Sequence, residues 1–446
     1  MQEVRTFVRE TVAAFNKKDS DGICDLIMLE EGFERLERLH EALYTMTEDT
    51  IRSTVEAECK SGPRQFKELI ANYLIFTIAS GLDTSRMVDV YELLSTCYGS
   101  FLSLYQAQDA QWLTPLLMNI SHSLVGWAVF ADDERRQEDE ERRRTGQPLR
   151  RKEEAKISDA ATKHLSKAFS IAANDRIAGA EGSKKTALYY LANLMLRSYF
   201  KLRSTRLVQT LMNNIAKANV RLREYPMSQQ VTHRYYVGRF HLYQKDLRRA
   251  ERELAFAFRN CPDLAQDEEE NRIVFGNTRL TLIYLTACRL CLGRMPSLQL
   301  LETYNLRPYF EPLMNAVKSG DLSVLEQTYS RPELMGWYLR REIFLLFKEK
   351  LRVLCLRSLI RRACLVSRRP TDPPQMRVNL DALVHVVQTL TGDASYDILD
   401  IEAMTASLLD QGYIKGYIHH EKRILVLGKT NPFPTVYSVE VMEELA

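Results

Sequence analysis

The chain has 446 residues, 45% hydrophobic and 27% charged, an ordinary balance for a folded globular protein and the wrong one for a disordered chain. Gly 18 and Pro 14 supply few turn residues for this length, which disfavours an all-β sandwich with a turn about every ten residues and favours long helices. Formal charge is +3, from 61 Lys plus Arg against 58 Asp plus Glu, so no global field exists and any affinity for nucleic acid must be local. At about 150 residues per domain the length suits roughly three domains, or fewer if the chain is a helical array. No apolar run reaches the roughly 18 residues that span a bilayer, so no membrane insertion is expected. Met1 to Glu10 is charged and has no signal-peptide core. Eight scattered cysteines read as reduced thiols of cytosol or nucleus.

Residues 1–131 read as an N-terminal helical region. Val4, Phe7, Val8, Val12 and Phe15 share one face of a helix. Ile70 to Ile78 and Met87 to Tyr105 are dense enough in apolar residues for burial on more than one side, with Asp83-Thr84 as a candidate N-cap before the second. Residues 132–157 change character: nine acidic and nine basic side chains crowd 132–156, broken by Gly146 and Pro148, which predicts a solvated linker, an exposed charged helix or a partner-binding insertion.

From 158 to 335 helix follows helix. Gly238, Ala250, Ala257 and Pro262 fall at intervals of 12, 7 and 5 residues, the tetratricopeptide pattern in which small residues let two antiparallel helices approach and proline follows the second. The rhythm continues through Ile273–Leu292, a break at 293–296, and a stop at Ser319-Gly320. Residues 336–436 read differently: helices over 343–366, 380–390 and 398–409, then strands over 413–418 and 423–427 joined by 419–422. Three helices followed by a hairpin is the order of a winged helix. Residues 437–446 form a tail. The expected fold class is thus an all-α tetratricopeptide-like solenoid followed by a C-terminal winged helix with a small β-hairpin.

No catalytic constellation emerges. The glycines form no GxGxxG or P-loop, and neither GxSxG nor HExxH occurs. Cys288-x-x-Cys291 sits in an apolar helical run with no second pair nearby and reads as core; His419-His420 reads as a polar turn. The expectation is a non-enzyme without metal or cofactor.

The concentrated feature is positive charge. Arg340, Arg341, Lys348, Lys350, Arg352, Arg357, Arg361, Arg362, Arg368 and Arg369 face only Glu342 and Glu349 over thirty residues. At helical spacing Arg357, Arg361 and Arg368 line one side, with Arg362 and Arg369 adjacent, while Leu351, Leu354, Cys355, Ile360 and Cys364 form the apolar face. The hairpin adds Lys415, Lys422, Arg423 and Lys429 against Glu421. The candidate nucleic-acid-binding residues are therefore Arg352, Arg357, Arg361, Arg362, Arg368, Arg369, Lys415, Lys422, Arg423 and Lys429. Residues 372–412 carry net −6, so the third helix would be repelled by phosphate. Contact through the end of the first helix and the wing gives backbone binding of RNA or DNA with little sequence specificity and steep salt dependence. An acidic protein partner and a plain solvated surface are the competing readings. Aromatics for base stacking are sparse, only Tyr413, Tyr417 and Phe433.

Several stretches resemble the PCI-domain family: Tyr235-Tyr236-Val237-Gly238-Arg239-Phe240, Leu292-Gly293-Arg294-Met295-Pro296, Ala316-Val317-Lys318-Ser319-Gly320-Asp321-Leu322, Gly412-Tyr413-Ile414-Lys415-Gly416-Tyr417-Ile418 and Lys429-Thr430-Asn431-Pro432-Phe433-Pro434. The likeness is to the Thp-type branch that serves the TREX-2 transcription-coupled mRNA-export complex, close over about 230–436 and weaker before it. It implies a nuclear scaffold subunit near pores, a second PCI-containing Sac-type scaffold chain and a small acidic Sem-type protein as partners, and paired winged helices that bind nucleic acid together. The charged 132–156 segment departs from what the resemblance supplies. A structural PCI subunit of a signalosome-, proteasome-lid- or splicing-associated assembly, with no direct nucleic-acid binding, is the alternative.

Overall fold

Twenty α-helices and one three-stranded antiparallel sheet make up the residues described by a computed structural model: 1–29, 34–60, 62–81, 86–147, 156–177, 182–262, 268–366 and 377–439. The fold class is the expected one, a helical array ending in a winged helix. The chain divides into two units, Met1–Tyr236 and Val237–Ala446.

In the first unit, the helix Gln2–Lys17 buries Val4, Phe7, Val8, Thr11 and Ala14, while Val12 and Phe15 lie at the edge of that face. Phe15 stacks on Phe66 with ring centroids 4.0 Å apart. Helices Arg64–Ser80 and Met87–Tyr105 are buried on more than one side, as their composition requires. Asp83-Thr84 lies outside the described residues.

The boundary expected at residue 132 falls inside a helix. Thr114–Arg144 is one 31-residue helix whose first half packs Leu116, Leu117, Ile120, Leu124, Val125 and Ala128 into the core and whose second half is charged, with the charged side chains exposed or only partly buried. Charge alone does not end a helix: Arg136 pairs with Asp133 at 3.1 Å one turn away, and nothing breaks the backbone until Gly146, at φ 70°. Two of the charged residues have structural work. Asp132 accepts hydrogen bonds from the backbone N–H groups of Ile157 (2.8 Å) and Ser158 (3.1 Å), at the start of the helix Ile157–Ala173. Glu134 accepts from the N–H groups of Met87 (3.2 Å) and Val88 (3.3 Å), at the start of Met87–Tyr105. Residues two apart on a helix point about 200° from each other, so this one helix satisfies the open N–H groups of two neighbours. The same segment also departs from the expectation that no apolar run reaches the length that spans a bilayer. Among the described residues, 110–144 contains an 18-residue window of mean hydropathy 1.3, long and apolar enough to cross a membrane by length and composition; 56% of that window is buried in the fold.

The second unit follows the small-residue pattern closely. A Cβ added at Gly238 would stand 2.6 Å from the Leu254 side chain, and Ala250 and Ala257 are fully buried, so the helices Met227–Tyr243 and Leu247–Arg259 approach where the sequence places small residues. Gly320 is required twice over: it closes the helix Arg307–Ser319 at φ 72°, and its Cα faces the backbone of Leu359 in the helix Phe344–Val366. Cys288 is buried and donates through Sγ to the carbonyl of Leu247 at 2.9 Å; burial pushes the Cys291 thiol up to about 12. Both are core side chains.

The winged helix comprises helices Phe344–Val366, Leu380–Thr391 and Ile398–Asp410 and the sheet. Strands β1 (Arg377–Asn379), β2 (Gly416–His419) and β3 (Ile424–Leu427) run in spatial order β1-β3-β2, with Val378 opposite Leu425 and Tyr417 opposite Val426. Only the hairpin is visible in the sequence. β1 is three residues long with one buried side chain, Val378, so it carries no period to read. The central strand turns Leu425 and Leu427 into the core, and the third helix begins with a reciprocal cap between Asp397 and Asp400.

Candidate nucleic-acid interface

The helix Phe344–Val366 buries Leu346, Phe347, Leu351, Leu354, Cys355, Leu356, Leu359 and Ile360, a wider apolar surface than a single stripe, which confines its cations to the remaining sector. The structure separates the candidate residues into distinct settings. Arg368 and Arg369 lie outside the described residues.

Arg357 departs from the expectation of an outward-facing cation. It is half-buried, donating through Nε to the carbonyl of Tyr413 (3.2 Å) and through Nη2 to that of Pro434 (2.6 Å), with the guanidinium carbon 5.9 Å from the Phe433 ring centroid. Burial lowers its pKa, and the neighbouring Arg361 lowers it further. Carbonyls that no strand partner satisfies draw this side chain inward, so it fastens the segment after β3 to the first helix of the winged helix.

Arg361, one turn on, is exposed, and among the described residues no carboxylate pairs with it. Tyr413, whose carbonyl Arg357 holds, stands two residues before Lys415, which with Lys429 is exposed. The N–H of Lys415 donates to the carbonyl of Pro432 (2.9 Å), and the N–H of Gly428, next to Lys429, donates to the carbonyl of Lys415 (2.7 Å). Lys415 and Lys429 therefore stand at one end of the sheet, on the segment fastened one turn before Arg361, and neither side chain has an ion-pair partner among the described residues.

The other cations, the adjacent Arg362 excepted, are apart from this group. Lys422 and Arg423 occupy the turn at the far end of β2 and β3, about 13 Å away along four strand residues. Arg423 pairs with Asp381 at 3.2 Å, and beside it His420 meets Glu402 at 2.7 Å, so carboxylates of the second and third helices offset the tip. Arg352 lies about 140° around the helix from Arg357 and donates to the Tyr396 hydroxyl at 3.0 Å. Arg362 is exposed and donates to the carbonyl of Ser319 at 2.8 Å, a cation at the C-terminal end of the helix Arg307–Ser319.

One constellation has no local sequence signal. Glu251 is nearly buried and accepts from Arg289 Nε (3.0 Å), Arg294 Nη1 (3.0 Å) and the Tyr437 hydroxyl (3.3 Å). The Arg294 guanidinium lies 3.5 Å from the centre of the Tyr437 ring, and Arg248 donates to the carbonyls of Tyr437 (3.1 Å) and Val439 (3.0 Å). Residues 437–439, expected as the start of a tail, are bound to the helical array.

Helical repeats that run on into a winged helix are the architecture of a subunit that presents surface to other molecules. No family model matches the chain. Whole-length relatives settle the class: a PCI domain-containing protein of Schizosaccharomyces pombe is 30% identical over 96% of this chain and 93% of its own length, and the chain belongs to the PCI-domain family. It is similar also to PCI domain-containing protein 2 of Xenopus laevis, 29% identical over 98% of both chains. Protein CSN12 homolog of Mycosarcoma maydis is 28% identical over 80% of this chain and 78% of its own.

Proposed function

We propose that this PCI-family chain is a non-enzymatic scaffold and nucleic-acid-binding subunit of a TREX-2-type complex, coupling transcription to nuclear mRNA export. The observation that carries the reading is the group Arg361, Lys415 and Lys429: three exposed cations on one fastened corner of the winged helix, beside Arg362, with no carboxylate among the described residues to neutralise them. Such a corner meets phosphates without reading bases, and the acidic third helix, with Asp400, Glu402 and Asp410, keeps the usual groove reader away from the duplex. The helical array would hold a second PCI-containing Sac-type chain and a small acidic Sem-type protein, in the nucleus near pores.

The similarity to CSN12 homologs of Mycosarcoma maydis and Neurospora crassa supports a second reading, a structural subunit of a signalosome-type assembly without a nucleic-acid role. Affinity purification of the tagged chain from native nuclear extract distinguishes them. Recovery of Sac-type and Sem-type chains with RNA supports the first reading; recovery of signalosome subunits and no RNA overturns it.

A further inference from the structure

The first unit contains a region whose charge is more one-sided than the winged helix. Residues 182–223 include nine Lys or Arg and no Asp or Glu. Lys184 turns inward, its Nζ donating to the carbonyls of Tyr105 (2.7 Å) and Ala107 (2.6 Å). Arg197, Lys201, Arg206, Lys217, Arg221 and Arg223 are all exposed, and none has an ion-pair partner among the described residues.

The helix Arg206–Lys217 organises this charge. Val208, Leu211 and Ile215 bury one side. Arg206, Thr210, Asn213 and Lys217 fall within about 60° of one another on the opposite side, and all four are exposed. Lys217 is three turns from Arg206, so the stripe is about 16 Å long. Gln209 donates to the Asn213 side-chain oxygen at 3.1 Å, which leaves the Asn213 amide hydrogens facing outward with the Thr210 hydroxyl. Arg206 stands in the first turn, where the helix dipole favours a carboxylate, so fold stability does not account for a cation there. Arg221 and Arg223 follow within six residues.

We propose that this face of the helix Arg206–Lys217, continued by Arg221 and Arg223, is a second nucleic-acid-binding surface that tracks the sugar-phosphate backbone. Cations interspersed with neutral amide and hydroxyl donors are the groups that contact phosphate and ribose oxygens. An acidic protein partner suits the face less well. A protein interface centres on buried aromatic or large apolar anchors, and the helix Arg206–Lys217 exposes only Leu207 among its large hydrophobics. The surface belongs wholly to the first unit and does not depend on the winged-helix reading.

The test uses the full chain, a fluorescein-labelled 30-nucleotide oligouridylate and anisotropy titrations from about 50 to 200 mM salt. The triple variant Arg206→Glu, Lys217→Glu, Arg221→Glu is expected to bind at least about tenfold more weakly and to lower the slope of log affinity against log salt by about two, at roughly 0.7 per phosphate contact on a single strand. A second triple variant, with Gln at the same positions, is expected to show the same direction with a smaller loss, and thermal melting checks that both are folded. Arg361→Glu with Lys415→Glu and Lys429→Glu, titrated in parallel, reports the winged helix separately. Unchanged affinity and slope in both folded triple variants would overturn the proposal whatever the winged-helix variant does. Loss of polyglutamate binding with oligouridylate binding intact would overturn it in favour of an acidic protein ligand.

Discussion

Arg357 Nη2 donates to the carbonyl of Pro434 at 2.6 Å, joining the first helix of the winged helix to the segment that leaves its last strand. A residue selected by charge density is thus a structural fastener, and its neighbour Arg361 is the exposed one. Arg357→Ala leaves two carbonyls without their charged donor and is expected to destabilise the chain by about 2 kcal/mol in chemical denaturation. Arg361→Ala should change stability by less than about 0.5 kcal/mol. Equal effects at the two positions would contradict the assignment.

Gly320 and Gly392 have nearly the same backbone, φ 72° and 70°, but different surroundings. A Cβ at Gly320 meets the backbone of Leu359, whereas one at Gly392 meets nothing within 4 Å. Gly392→Ala is expected to cost about 1 kcal/mol, the left-handed strain alone. Gly320→Ala should cost at least about twice that, because helix backbone must move, and the comparison of denaturation midpoints isolates the packing contribution.

Much of this architecture was legible because it depends on local rules. Helices over 343–366, 380–390 and 398–409 match the observed Phe344–Val366, Leu380–Thr391 and Ile398–Asp410, since the apolar period marks all three and Gly392 and Gly412 follow the second and third. The jump in charge at 132 does not end the helix Thr114–Arg144, because no breaker precedes Gly146. The inward turn of Arg357 was not legible at all: its acceptors, Tyr413 and Pro434, are set by how the wing folds back. The cations of 182–223 are spread too thinly to form a dense cluster and stand out only by the lack of Asp or Glu among them.

Glu251 is the shared acceptor for Arg289, Arg294 and Tyr437 in the second unit. Glu251→Ala removes the shared acceptor of two partly exposed arginines and a hydroxyl and is expected to destabilise by about 1–2 kcal/mol. Hydrogen exchange at Val436–Ser438 should accelerate in this variant before exchange in the sheet does. Unaltered protection of that segment would show that Arg248 alone holds it.

His233 is buried against Tyr189, ring centroids 4.8 Å apart, and burial lowers its pKa from 6.5 to about 4, with Arg234 adding to the shift. Below pH 6.5 the unfolded chain therefore binds a proton that the folded chain refuses. The stability associated with neutral His233 is complete above that pH and is lost as pH falls from about 6.5 toward 4, on the order of 3 kcal/mol in total. His233→Gln should flatten the stability profile in that window, measured by urea denaturation at half-unit steps.

The most direct measurement is anisotropy of labelled oligouridylate with the full chain and with Arg361→Glu, Lys415→Glu, Lys429→Glu, each between about 50 and 200 mM salt. The account predicts binding by the unsubstituted chain that falls steeply with salt, and at least about tenfold weaker binding with a shallower slope in the folded variant. Binding that ignores salt, or a variant indistinguishable from its parent, would contradict it.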